Sequence, residues 1–189
     1  SRIGKKYLKG GVAYGGPCFP RDNKALVTLA HSLGAGALIA EATDQTNSEE
    51  PRLLAKQVMK HLPQGGIVGI LGFSYKPNTD VVEKSLGLLL AQRLAADGVK
   101  VVGHDPVGMD NARRALGGSV QFLDSVSECL EIADVLVITT AWAAFRGLDV
   151  TMSYNSKKPK AVVDCWDILD PERVVAYAKY VSTGVGPAI

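Results

Sequence analysis

Apolar positions in the first third of the chain recur at helical spacing; in the remainder they come as short runs alternating with helical stretches. After Asp22, the residues Leu26, Leu29, Ala30 and Leu33 fall three or four apart, which predicts an amphipathic helix. Asp22 is the expected N-cap and Gly34 the expected stop. From Ala37 to His61 a second, longer stripe runs through Ile39, Ala42, Thr46, Leu53, Leu54 and Val58. Pro51 lies inside it, where a proline either kinks a helix or restarts it. "LPQGG" at 62–66 ends the stripe. Residues 1–21 hold Gly10, Gly11, Gly15 and Gly16 without a period, and read as loop or short extended structure.

Beyond Gly66 the rhythm changes. "IVGILGF" reads as a buried strand, "SLGLLLAQRLAADG" as an amphipathic helix ending at Gly98, and "VKVVGHDP" as a second strand. A short helix over "NARRALGG", a short strand at "SVQFL" and a helix over "SVSECLEIA" capped by Ser125 follow. "DVLVITTA" and "KAVVDC" are strands, "PERVVAYAKY" a helix with Pro171 in its first turn, and "VSTGVG" a final strand. Strands alternating with helices predict an α/β fold with a parallel sheet covered on both faces. The expected architecture is a Rossmann-like sheet domain over 64–189, preceded by an all-α segment over 1–63 with a long connecting helix. Exposed apolar residues on that helix offer a surface for pairing two copies.

Composition narrows the function classes. The chain has 189 residues, 47% of them hydrophobic, which is enough for a packed core. Its 21 basic and 19 acidic residues give a formal charge of +2, and the lysines are scattered, so neither nucleic acid nor an anionic membrane is an expected partner. The longest apolar runs are too short to span a bilayer, and the basic start lacks the apolar core of a signal peptide. Cys18, Cys129 and Cys165 lie at wide, unequal spacings that give neither a disulfide framework nor a zinc site, so a soluble protein of a reducing, cytoplasmic compartment and no metal are expected.

A Rossmann-like domain that binds NAD carries G-x-G-x-x-G in its first strand–turn–helix unit. Here the turn reads "GILGFSYKPNTD", with Gly69 and Gly72 but with Phe73 and Tyr75 where the fingerprint needs room for a pyrophosphate. Asp105 ends the second strand, where a ribose-binding acid would sit. The sheet therefore looks Rossmann-like while its loop argues against ordinary NAD binding. Lys76, Asn78 and Thr79 could still hold an anion with the help of the next helix's N-terminus, or Lys76 is a solvated loop lysine.

The stretch "GGPCFPRD" at 15–22 raises a different chemistry. Pro17 and Pro20 fix the backbone on either side of Cys18, Arg21 is close by, and Asp22 could hold or deprotonate a water beside the sulfur. Covalent catalysis at a carbonyl carbon needs that set: sulfur attacks, then water displaces it. The alternative is a turn with a buried thiol and an aspartate that only caps a helix. Cys129 and Cys165 read as core, and His31, His61 and His104 are too far apart in the sequence to suggest a shared site.

These stretches together resemble one family. "GGPCFPRDNKAL" is similar to the catalytic-cysteine motif of the nucleotide-sugar 6-dehydrogenases, and "GILGFSYKPNTD", "SLGLLLAQRL" and "GVKVVGHDP" resemble the start of their C-terminal nucleotide-binding domain. "ADVLVITTAWAAF" and "VVDCWDIL" follow in the family's order. The resemblance implies a central helical dimerisation region and a C-terminal Rossmann-like domain, without the family's N-terminal NAD domain. It implies oxidation of the C6 alcohol of a nucleotide sugar to the uronic acid through a cysteine thiohemiacetal and thioester, with two NAD reduced. By the same resemblance Cys18 is the nucleophile and Asp22 assists water or proton transfer. Tyr14, Gly15, Gly16, Tyr75 and Lys76 lie along the substrate, and Arg2, Tyr7 and Lys9 belong to a substrate-binding arm, with Arg2 reaching into the neighbouring subunit. A homodimer through the long helix is the implied assembly.

The chain departs from the family in two places. Many members carry Arg-Glu-Ser after the lysine loop, with the arginine near the cofactor; here stand Glu83, Lys84 and Ser85, which leaves Lys84 as the cation for the cofactor. Many UDP-glucose members have Asp-Gly-Arg where Asp164, Cys165 and Trp166 stand here. "DNKAL" after the cysteine favours UDP-glucose, then GDP-mannose. Two other readings stay open: a non-catalytic module that binds a nucleotide sugar, and a thiol-based hydrolase or redox protein.

Overall fold

A computed structural model describes residues 11–149 and 159–183. Two helices lead, α1 (Phe19–Ser32) and α2 (Leu38–Met59). There follow β1 (Ile67–Leu71), α3 (Leu86–Ala96), β2 (Lys100–His104), α4 (Met109–Leu116), β3 (Gln121–Phe122), α5 (Val126–Ile132) and β4 (Val135–Ile138), then β5 (Ala161–Asp164), α6 (Pro171–Val175) and β6 (Lys179–Ser182). The six strands form one sheet in the order β3-β2-β1-β4-β5-β6, with every pairing parallel. That is the strand order of the doubly wound Rossmann fold, and its direction reverses between β1 and β4. The α/β expectation holds.

The sheet is buried on both faces, so β1, β4 and β5 are almost uninterrupted apolar runs. On one face Val68, Ile70, Val135, Val137 and Val163 pack against Leu90 and Leu94 of α3. On the other, Leu136, Ile138 and Val162 pack against Cys129 and Leu130 of α5 and Phe145. Fully burying one such leucine contributes about 1.5–3 kcal/mol, so α3 is held chiefly by its core face. Ser85 starts that helix by accepting the Leu88 N–H at 3.1 Å.

α2 runs unbroken through Pro51, and its last turns place Leu54, Ala55 and Val58 in the core on the α3 face. The connecting helix is thus built into the sheet domain at one end. Two element boundaries differ from the expectation. α1 begins at Phe19, with Cys18 as the N-cap residue and Asp22 inside the first turn. Pro20 fits there because first-turn N–H groups have no intrahelical partner to lose. α6 stops at Val175, although the apolar spacing suggests a helix to Tyr180. The Lys179 N–H donates instead to the Lys160 carbonyl at 3.0 Å, opening the β5–β6 ladder. Tertiary pairing overrides the local period.

Candidate functional site

Cys18 is exposed at the head of α1. The turn before it is held from two sides. On the α2 side, the Asn47 side chain accepts the Tyr14 N–H at 2.8 Å and donates to the Tyr14 carbonyl at 3.0 Å. On the sheet side, the Gly16 N–H donates to the Glu83 carbonyl at 2.8 Å. Both glycines are demanded by that contact. A Cβ on Gly15 would lie 2.3 Å from the Lys84 carbonyl oxygen. Gly16 has φ +85°, and a Cβ there would lie 2.7 Å from the Tyr75 ring. The cysteine turn therefore docks on the loop between β1 and α3, and Gly15, Gly16, Tyr75 and Lys84 meet. Lys76 continues the cluster, with Nζ 5.3 Å from the Tyr75 ring centre.

Asp22 lies one turn into α1, and its N–H donates to the Cys18 carbonyl at 2.8 Å. Its carboxylate accepts from Arg21 Nε at 2.9 Å. Arg21 is pushed above its ordinary pKa first by that hydrogen bond and the Asp22 charge, then by Cys18 and Glu83. The guanidinium is therefore within electrostatic reach of the sulfur. Asp22 also faces an apolar groove of about 480 Å³ with Tyr14, Phe19, Asn23, Leu26 and Thr43. The Tyr14 hydroxyl is buried without a hydrogen-bond partner among the described residues, and burial and then Asp44 raise its pKa.

The other two cysteines are enclosed. Burial, with Glu128 adding to it, pushes the Cys129 thiol up to about 12. Burial likewise raises Cys165, aided by Asp164 and Glu50. Neither can supply thiolate near neutral pH. Arg2, Tyr7 and Lys9 lie outside the described residues. Among the described residues no group of His, Cys, Asp and Glu forms a metal site, and no helix is long and apolar enough to cross a membrane.

Asp105, at the ribose-acid position, is 1% exposed and has another task. It accepts the N–H groups of Phe73 (2.7 Å), Ser74 (2.9 Å), Val107 (2.9 Å) and Gly108 (2.6 Å), the Ser74 hydroxyl and the Trp142 Nε1–H. Burial works to raise its pKa, but the backbone donors outweigh it and hold the carboxyl below its ordinary range. The Gly72 turn is filled as well: Thr139 Oγ1 donates to the Gly72 carbonyl at 2.5 Å and Thr140 Oγ1 to the Ser74 carbonyl at 2.6 Å. Beside it, Trp166 Nε1 donates to the Thr139 carbonyl at 2.9 Å. Asp105, buried and serving protein donors, is not free to hold the ribose of a dinucleotide at this switch point.

Sequence reasoning passed over Asn47, Thr139 and Thr140. Their partners are backbone groups, which leave no mark in a sequence. No signal in the apolar stripe marks Asn47 either, since the stripe residues nearest it, Ala42 and Thr46, are exposed.

Comparison with known proteins agrees with this geometry. Residues 69–171 match the UDP-glucose/GDP-mannose dehydrogenase family, UDP binding domain, and residues 1–49 match the central domain of the same family. A UDP-glucose 6-dehydrogenase of Rhizobium meliloti is 35% identical over 187 residues, covering 97% of this chain and 43% of that protein. The structure of a UDP-glucose dehydrogenase from Pyrobaculum islandicum superposes with a TM-score of 0.82 at 34% identity, over 95% of this chain and 40% of that one. A GDP-mannose dehydrogenase from Pseudomonas aeruginosa, at 24% identity and a TM-score of 0.76 over 95% of this chain and 42% of its own, shares the fold. This chain thus spans about two-fifths of the length of such relatives. With its cysteine turn docked on a Rossmann-like sheet whose strand-end Asp105 serves protein donors, the chain belongs to the UDP-glucose/GDP-mannose dehydrogenase family.

Proposed function

We propose that these residues are the central and C-terminal parts of an NAD-dependent nucleotide-sugar 6-dehydrogenase, with UDP-glucose as substrate and GDP-mannose as the next choice. In this reading 1–63 is the dimerisation region with the catalytic turn and 64–189 the sugar-nucleotide domain. The carrying observation is the contrast among the cysteines: Cys18 is exposed at a turn fixed from both sides, while Cys129 and Cys165 are buried. The names of the relatives, UDP-glucose 6-dehydrogenases, favour the UDP-sugar.

The Cys18 sulfur adds to the C6 aldehyde carbon and forms a C–S bond; the oxygen takes a proton to give the thiohemiacetal. Loss of hydride from that carbon and of the hydroxyl proton leaves a thioester. Water, with Asp22 holding it or taking its proton, adds to the thioester carbonyl; the C–S bond breaks and thiolate leaves. The aldehyde itself arises from the C6 alcohol by loss of a first hydride and the hydroxyl proton, so from alcohol to acid two hydrides are lost and one water oxygen is gained. NAD would supply the hydride acceptor, and Lys84 is the residue of this chain that would contact it. Tyr75 and Lys76 face the sugar nucleotide, with Tyr14, Gly15 and Gly16 alongside and the arm of Arg2, Tyr7 and Lys9 completing the site.

Apolar side chains on α1 and α2 support a homodimer. Phe19, Leu33, Leu38 and Ile39 are each more than 70% exposed, a patch that a monomer rarely leaves open. The unpaired cysteines agree with a cytoplasmic setting.

The test uses the full-length protein with UDP-glucose and GDP-mannose, following NADH and uronic acid. Cys18→Ser abolishes acid formation; acid made at the normal rate by that variant overturns the reading. Absence of NADH formation by the unaltered protein with any nucleotide sugar favours a non-catalytic binding module instead, a reading fed by Trp166, whose indole stands where many UDP-glucose members carry arginine.

A further inference from the structure

We propose that Asn47 is a positioning residue for the Cys18 sulfur: its side-chain amide clamps the backbone of Tyr14 and so fixes the turn that aims the thiol. The inference rests on Cys18 being the nucleophile.

α1 has no buried residue, and the segment before it meets the core only upstream of Tyr14, through the partly buried Val12 and Ala13. From Tyr14 onward, polar ties to neighbouring elements position it. Asn47 satisfies both backbone groups of Tyr14, at 2.8 and 3.0 Å, across 33 positions of sequence. A primary amide carries one acceptor and a donor group at the spacing of a peptide, so the side chain stands in for a neighbouring strand. Five residues beyond Cys18, the Asn23 side chain donates to the Ala40 carbonyl of α2 at 2.8 Å. The sulfur thus lies between two asparagine ties to the same helix. That helix is itself immobilised, because Leu54, Ala55 and Val58, two to three turns after Asn47, sit in the sheet domain's core. Across the turn, Gly16 is tied to Glu83. Asn47 therefore ties the turn between Ala13 and Cys18 to a helix that is fixed in the core. Covalent addition needs the sulfur within reach and in line with the carbonyl carbon, and an error of about 1 Å there costs on the order of a hundredfold in rate.

The test uses full-length enzyme with UDP-glucose. Asn47→Leu fills the volume and removes both hydrogen bonds. The expected result is a kcat lowered by about 10–100-fold, with KM changed by a smaller factor, because Tyr75 and Lys76, which face the nucleotide, lie on another loop while Tyr14, Gly15 and Gly16 only border it. Asn47→Gln, which keeps both polar groups on a longer stem, recovers at least about threefold of that loss. Cys18 is exposed, so its alkylation by iodoacetamide stays within about twofold in every variant. Should Asn47→Leu not accumulate as folded protein, Asn47→Ser replaces it with the same thresholds. A kcat within about twofold of the unaltered enzyme overturns the proposal, as does an effect confined to KM, an Asn47→Gln no faster than Asn47→Leu, or alkylation slowed by the same factor as kcat. Cys18→Ser in the same series separates the two readings. If it still makes acid at the normal rate, the nucleophile assignment fails; if it is inactive while Asn47→Leu is normal, only the positioning role fails.

Discussion

α1 and α3 are of similar length, 14 and 11 residues, and lie in opposite surroundings. α3 buries six residues against the sheet and begins at a serine cap. α1 buries none, begins at a cysteine with no capping side chain, and turns Phe19, Leu26, Leu29 and Leu33 to the outside. One helix is fixed by burial, the other by single hydrogen bonds at its flanks. The chemistry we propose sits on the second. An element that carries a reactive sulfur at an interface leaves its apolar side for whatever completes that interface, and polar ties keep it in register meanwhile.

The comparison breaks or sharpens with a graded series. The largest effect belongs to α3: Leu90→Ala, at a position with no exposure, costs about 4 kcal/mol, since deletion leaves a cavity in a close-packed core. Urea unfolding measures it, and a cost near 1 kcal/mol would mean that α3 is less embedded than its burial shows. Next comes Asp105→Asn. The carboxylate serves six donors from the three loops that follow β1, β2 and β4, so the neutral amide costs about 3 kcal/mol. Its pH signature has a definite sign. The folded pKa is depressed, so the stabilisation is complete above the unfolded value of about 3.9 and is lost as pH falls through the folded value. The stability gap between the unaltered protein and Asp105→Asn therefore narrows below about pH 4; a gap that stays constant there contradicts the assignment. Third is Gly16→Ala, where a positive φ and the Tyr75 ring both object; about 2 kcal/mol is expected, with loss of activity in the full-length enzyme because the cysteine turn leaves its dock.

The sequence made α3 legible and α1 only half so. α3 is apolar almost throughout and is buried accordingly, whereas α1 carries a clear apolar period that the chain leaves exposed. At the head of α1 the helix start was misplaced by four residues, because an aspartate is as favourable inside the first turn as at the cap. The parallel sheet followed from its strand runs; the stop of α6 did not, because Val174, Val175 and Ala178 keep a helical period into a segment that the ladder with β5 claims. At the site, Cys18 was legible through the glycines and prolines that frame it. Asp105 was legible as an acid at a strand end and misread as to partner: the same carboxylate can cap a ribose or a loop, and here the loop's N–H groups reach it. Asn47 was illegible, since its partners are peptide groups 33 residues away.

The smallest effect tests the outward face of α1. Leu29 and Leu33 are 56% and 75% exposed, so Leu29→Ser with Leu33→Ser changes the unfolding free energy of dilute monomer by less than about 0.5 kcal/mol per site. The consequence appears with concentration instead. If a second copy covers this face, the unaltered protein gains stability as its concentration rises, because association stabilises only the folded state. The doubly substituted protein then melts at the same temperature throughout. Melting curves over a hundredfold range of concentration, paired with sedimentation, read both quantities. A double variant that is destabilised by more than about 1 kcal/mol at every concentration would show that α1 is packed within the chain after all. The contrast with α3 would then be one of degree.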